Sequence, residues 1–140
     1  MPRIERQAHV VWEGNVARGA GSITAATGAF TELPYSLPSR IGAAEGKTSP
    51  EELLAAAHGG CLTMSIASEL TQAGTPPARL EVTCRIVMDE VEGHGHQIVA
   101  SHVTIGGDEV PAELVAKADE SCPFSTLLRK AGVTVEIARA

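Results

Sequence analysis

The chain has 140 residues, 44% of them hydrophobic but only 3% aromatic, and a formal net charge of -6. Its acidic balance, with no basic stripe and no aromatics interleaved with Lys or Arg, argues against nucleic-acid binding. No apolar run approaches the roughly 20 residues that a membrane-spanning helix needs.

That length fits one domain, expected to span 1–140. With so few large side chains the core rests on Ala, Val, Leu and Ile, and such a domain gains further burial by pairing with a second copy. The opening "MPRIERQAHVVWEG" has charges but no long apolar region after them, so no signal peptide is expected and the expected location is cytoplasmic. Three cysteines in that compartment point to free, catalytic or redox-active thiols rather than a disulfide framework.

In chain order, "QAHVVWEG" and "GSITAATG" read as two strands of a hairpin turning around Gly14–Gly19. The segment "AFTELPYSLPSRIGAAEGKT" has two prolines, two glycines and no sustained period. It reads as a long loop carrying a single arginine, Arg40, and loops of that length are usually functional or disordered. "SPEELLAAAHGGCLTMSIASEL", 49–70, then reads as a helix. Ser49 suits the N-cap, Pro50 the first helical position, and Glu51 and Glu52 the positive end of the dipole, with Glu52 completing a capping box. Leu53, Ala57, Cys61, Met64 and Ala67 repeat on one face, and Leu54, Ala55, Leu62 and Ile66 make other faces apolar too, which predicts a buried central helix. Gly74 and two prolines end it.

"RLEVTCRIVMDEV" alternates at period two, with Leu80, Val82, Cys84, Ile86 and Met88 on one face: a half-buried strand. "IVASHVTIGG" is its hairpin partner after the "EGHGHQ" turn. "PAELVAKADES" predicts a helix, "CPFSTLLRKAG" a short one with Cys122 at the N-cap and Pro123 at the first helical position, and "VTVEIA" a closing strand. The class is α+β, mostly antiparallel sheet packed around helices.

The three thiols differ in setting. Cys84 alternates with Val82 and Ile86 and reads as core packing. Cys122 opens a helix, where unpaired backbone N–H groups and the dipole favour a reactive thiolate; the other reading is a capping residue. Cys61 lies in mid-helix behind Gly59 and Gly60. Glycine in a helix interior costs about 1 kcal/mol relative to alanine, so the pair needs a reason: close approach of another segment or a substrate to the backbone, or simple helix packing with Cys61 as spacer. A Cys61 thiolate would need a cation, and Arg40 can supply one. Glu51 lies roughly 15 Å along the helix axis from Cys61, too far to be its base, but able to anchor an arginine near the helix start. His58, one turn before Cys61, reads as a satisfied core or surface histidine ahead of a base, and His9 and His102 are given no role. His94 and His96 with scattered cysteines make a weak zinc signal, so no metal site is expected.

"SPEEL", "AAAHGGC" and "CPFS", with the "LPYSLPSR" loop before them, resemble the OsmC/Ohr family of thiol-dependent peroxidases, and the OsmC branch more than the Ohr branch. The resemblance covers essentially the whole chain. It implies an OsmC-like fold, an intertwined homodimer with long helices buried between sheets and active sites at the subunit interface. It implies Cys61 as peroxidatic cysteine, Cys122 as resolving cysteine, Arg40 as the residue stabilising the thiolate (with Arg18 of the first hairpin as the alternative) and Glu51 as the carboxylate holding that arginine. The implied reaction reduces organic hydroperoxides, and hydrogen peroxide less well, through a Cys61 sulfenic acid and a Cys61–Cys122 disulfide that a thiol or dithiol reductant reopens, with no cofactor. Ser49 where the family commonly has Asn, Gly59–Gly60 in place of Ala–Ala, and the extra Cys84 depart from the pattern. The alternative function is non-catalytic binding of a small molecule by an OsmC-like fold.

Overall fold

A computed structural model describes residues 2–140. The chain forms two units, the first up to Pro50 and the second Glu51–Ala140.

The first unit is built on an antiparallel sheet in the order β1–β2–β3, with β1 Ala8–Glu13, β2 Ala20–Ala25 and β3 Leu33–Tyr35. Its hairpin closes where the Gly19 N–H donates to Asn15 O at 2.7 Å and the Arg18 N–H to Asn15 Oδ1 at 2.8 Å. Gly21 lies under the tilted pair of Trp12 and Tyr35, whose ring centroids are 5.6 Å apart; a Cβ at this position would come within 2.7 Å of both rings, so no other residue fits.

The segment expected to be one long loop holds β3 and a short helix, α1, Leu37–Ile41. Pro34 cannot donate to a ladder, which hides the strand in the sequence, but β3 is an edge strand and tolerates it. The helix starts at a capping box made by two serines: the Ser39 N–H donates to Ser36 Oγ and the Ser36 N–H to Ser39 Oγ. The familiar Ser/Thr-to-Glu/Gln version of that motif is absent, so its signal is easy to miss.

The second unit contains α2 (Pro50–Gln72), β4 (Leu80–Val91), β5 (Gly95–Gly107), α3 (Ala112–Ser121), α4 (Pro123–Lys130) and β6 (Thr134–Arg139). β4 and β5 pair as an antiparallel hairpin with a bulge at Val87/Met88. β6 returns to pair with β5 in parallel, which demands a crossover, and α3 and α4 provide it. α2 ends where Gly74 takes a left-handed conformation and the Thr75 N–H reaches back to Leu70 O at 2.9 Å.

The buried stripe of α2 is His58, Leu62, Ile66 and Leu70, at a spacing of four. The face through Cys61 and Met64 is only partly covered, and Met64 is 76% exposed. The apolar character all round the helix therefore does not translate into burial all round it in a single chain. Leu62, Ile66 and Leu70 pack with Val103 and Ile105 of β5, Val110, Ala118 and Cys122. Each of the larger side chains contributes roughly 1.5–3 kcal/mol by leaving water.

Candidate active site

α2 and α4 bring two distant thiols together. Cys61, half-buried on α2, packs against the core cluster that contains Cys122. Cys122 ends α3 and caps α4; Pro123 follows at the first helical position, fixing the turn that aims the helix N-terminus at the sulfur. The Ser125 N–H donates to Cys122 Sγ at 3.5 Å. Cys122 and the Phe124 backbone are the neighbours that act on the Cys61 thiol. Cys122 thus lies at the first turn of α4, where backbone N–H groups lack helical partners. No disulfide joins them in this structure.

The electrostatics within this unit do not favour a Cys61 thiolate. Burial pushes its pKa above the ordinary value, Cys122 adds to the rise as hydrogen-bond partner and by charge, and the Phe124 N–H pulls the other way.

Of the residues expected at the site, Cys61 and Cys122 meet. Glu51 stands in the first turn of α2, and Arg40 in the last turn of α1 in the other unit, exposed, beside a cavity lined by Trp12, Tyr35 and Ser36. Arg18 lies in the β1–β2 turn of that same unit.

The glycine pair divides. A Cβ on Gly59 would stand 3.1 Å from the Cys84 Cβ, so Gly59 allows β4 to approach the helix backbone. A Cβ on Gly60 would meet nothing within 4 Å. Close approach is thus the reason for one glycine only.

His58 is a fully buried, satisfied core histidine. One ring nitrogen, Nδ1, is 2.7 Å from the Ser101 hydroxyl of β5, and the other, Nε2, is 2.8 Å from the Ser125 hydroxyl of α4. Cys84 lies 3.3 Å from the same Ser101 oxygen and 3.8 Å from His58 Nδ1, so the extra thiol joins a polar network as well as packing. Burial pushes the His58 pKa below its ordinary value, the Asp119 carboxylate opposes this, and the Arg129 guanidinium adds to it. Asp119 and Arg129 themselves pair at 2.6 Å. The sequence reading missed Ser101 and Ser125 as partners of His58. Ser101 alternates with Val103 and Ile105 on the inward face of β5, and a serine in that register signals a buried polar partner. No grouping of three or more His, Cys, Asp or Glu able to hold a metal occurs among the described residues.

The α+β arrangement and a cysteine pair at a helix N-terminus define a candidate thiol-redox protein. The family model described as OsmC-like protein matches residues 42–138. Peroxiredoxin OsmC of Escherichia coli (strain K12) is 33% identical over 136 residues, covering 93% of this chain and 92% of that protein. The chain belongs to the OsmC-like protein family. Solved structures share its fold: the organic hydroperoxide resistance protein OhrB of Bacillus subtilis superposes with a TM-score of 0.74 at 24% identity, covering 96% of this chain and 98% of that one. An organic hydroperoxide resistance protein OsmC from Legionella pneumophila does so with a TM-score of 0.73 at 24% identity over 99% of both chains.

Proposed function

We propose that this protein is a cysteine-based peroxidase for organic hydroperoxides, with Cys61 as the peroxidatic residue and Cys122 as the resolving one. The observation that carries the reading is that Cys61 packs against the core cluster containing Cys122, the N-cap of α4. The names of the relatives, peroxiredoxin OsmC and organic hydroperoxide resistance proteins, support it.

The Cys61 thiolate attacks one peroxide oxygen, breaking the O–O bond. Cys61 becomes a sulfenic acid, and the leaving alkoxide takes a proton to depart as an alcohol. The Cys122 thiol condenses with the sulfenic acid, forming the Cys61–Cys122 disulfide and releasing water, which prevents oxidation to the sulfinic acid. An external thiol or dithiol reopens the disulfide by exchange. The neighbours of Cys61 favour the protonated thiol, and a guanidinium, charged at any working pH, would oppose them. Arg40, held by Glu51, takes this role in our reading, with Arg18 as the alternative. Each pKa unit of depression corresponds to about 1.4 kcal/mol of preference for the thiolate. Phe124, which with Cys61 packs against the core cluster, and the exposed Met64 on the partly covered face of α2 give apolar character that suits an alkyl hydroperoxide over hydrogen peroxide.

The whole 140-residue chain acts in this reading as one OsmC-like domain and as a homodimer with active sites at the interface. The exposed Met64 on α2 and the exposed Val10, Val11 and Trp12 of β1 support pairing with a second copy. No helix of the described residues is long and apolar enough to cross a membrane. The reading has the protein act in the cytoplasm, where its thiols stay reduced.

Hydroperoxide consumption by single variants tests the function. Cys61→Ser is expected to be inert, and Cys122→Ser to complete one turnover and then stall. Full activity in Cys61→Ser would end the reading. One observation favours a second reading, non-catalytic small-molecule binding: the raised pKa of Cys61. That reading predicts slow alkylation of Cys61 at neutral pH in the intact protein.

A further inference from the structure

His58 contributes nothing to the chemistry described above, yet it is fully buried and hydrogen-bonded at both ring nitrogens. It precedes Cys61 by one turn of α2. Its partner on α4, Ser125, has two ties. The Ser125 hydroxyl meets His58 Nε2 at 2.8 Å, and the Ser125 N–H meets Cys122 Sγ at 3.5 Å. One residue therefore holds the helix that carries one thiol with its side chain and the sulfur of the other thiol with its backbone. Phe124, between Cys122 and Ser125, packs with Cys61 against the core cluster.

We propose that His58 is a positioning residue for the cysteine pair: through Ser125 it fastens the first turn of α4 to α2, and so holds Cys122 against Cys61. The inference rests on the peroxidase reading for its purpose but not for its geometry.

The physical need for such a tie is plain. α4 has eight residues and no acidic residue in its first turn, and isolated helices of that length are marginal in water. Its starting geometry comes from tertiary contacts. Ser101 on β5 holds the opposite ring nitrogen, so the imidazole is fixed from both sides and cannot swing with α4. The other titratable or charged groups around the imidazole are Cys84 on β4, Asp119 on α3 and Arg129 on α4. Asp119 and Arg129 are paired with each other.

The thiol–disulfide equilibrium of the Cys61–Cys122 pair tests this without any peroxide. Full-length protein is equilibrated with glutathione buffers of graded redox ratio, quenched by alkylation, and mapped by mass spectrometry. Loss of a buried hydrogen-bond partner loosens the pair, so Ser125→Ala and His58→Leu are each expected to lower the equilibrium constant for the intramolecular disulfide about tenfold. Because both remove the same tie, the double variant should lose little more than either single one. Ser125→Thr, which keeps the hydroxyl, should stay close to the parent. Ser101→Ala leaves the Ser125 bond and should change the constant less than Ser125→Ala does. If Ser125→Ala folds with a lowered melting temperature and an unchanged equilibrium constant, His58 is purely structural and the proposal is overturned while the peroxidase reading stands. A parent protein that forms no Cys61–Cys122 disulfide at any ratio would bring down both.

Discussion

Two half-buried cysteines flank the same core, and their surroundings differ. Cys61 packs against the cluster that holds a second thiol, Cys122, at the start of α4. Cys84 faces the Ser101 hydroxyl within a network in which His58, Ser101 and Ser125 already satisfy one another. A sulfur opposite a second sulfur has a bond it can form under oxidation. A sulfur set among hydroxyls and an imidazole has only weak hydrogen bonds to exchange. Burial alone does not distinguish the two, since each is intermediate. The partner does.

Several changes would break or sharpen that contrast. The largest effect falls on the cation proposed to activate Cys61. Arg40→Met should lower second-order peroxide consumption on the order of a hundredfold at neutral pH, with the loss shrinking as the pH rises towards the thiol's own ionisation. An Arg40→Met enzyme as fast as its parent, with Arg18→Met slow, would move the role to the first hairpin.

His58 gives a pH signature on the other side of the contrast. Its folded pKa lies below the ordinary value of 6.5, so the unfolded chain takes up a proton first as the pH falls. Stability from the neutral buried imidazole is complete above about pH 6.5 and is lost as acidification proceeds towards the lower folded value. Thermal melts of the parent should therefore fall between neutral and mildly acid pH, and His58→Gln, which cannot titrate, should show a weaker slope. Equal slopes would mean that other groups carry the dependence.

Cys84→Ser should keep peroxide turnover within about threefold of the parent, with a stability cost of about 1 kcal/mol for placing a more polar group against the core. A collapse of turnover would give Cys84 a place in the chemistry that its surroundings do not suggest.

The smallest effects concern the glycines between the two regions. Gly60→Ala should stabilise the fold by up to about 1 kcal/mol, since helix propensity improves and the new methyl meets nothing. Gly59→Ala should gain less or lose, because its methyl presses on the Cys84 Cβ, which moves only with β4. Melting temperatures of the two variants decide it; equal gains would show that β4 yields freely.

Much of the second unit was legible in the sequence. The alternation of Leu80, Val82, Cys84 and Ile86, the Gly74 stop and the Cys122–Pro123 helix start all mark features found in the structure. These signals are local and periodic, so the residues themselves carry them. β3 and α1 were hidden because three and five residues are too few to show a period, and Pro34 and the serine capping box do not resemble their usual markers. The buried stripe of α2 was also hidden. Alanines and leucines on every face leave the choice to what packs against the helix, and Leu62, Ile66 and Leu70 won because β5 offers Val103 and Ile105. The two thiols could be singled out by their helix settings, but the partners of His58 could not, since they are 43 and 67 residues away in the chain.

The most direct measurement is the intact mass and disulfide map of reduced protein before and after one equivalent of cumene hydroperoxide. Our account predicts the loss of two hydrogens and a single cross-linked peptide joining Cys61 to Cys122, with Cys84 still free. Unchanged mass, or a cross-link through Cys84 in place of Cys122, would contradict it.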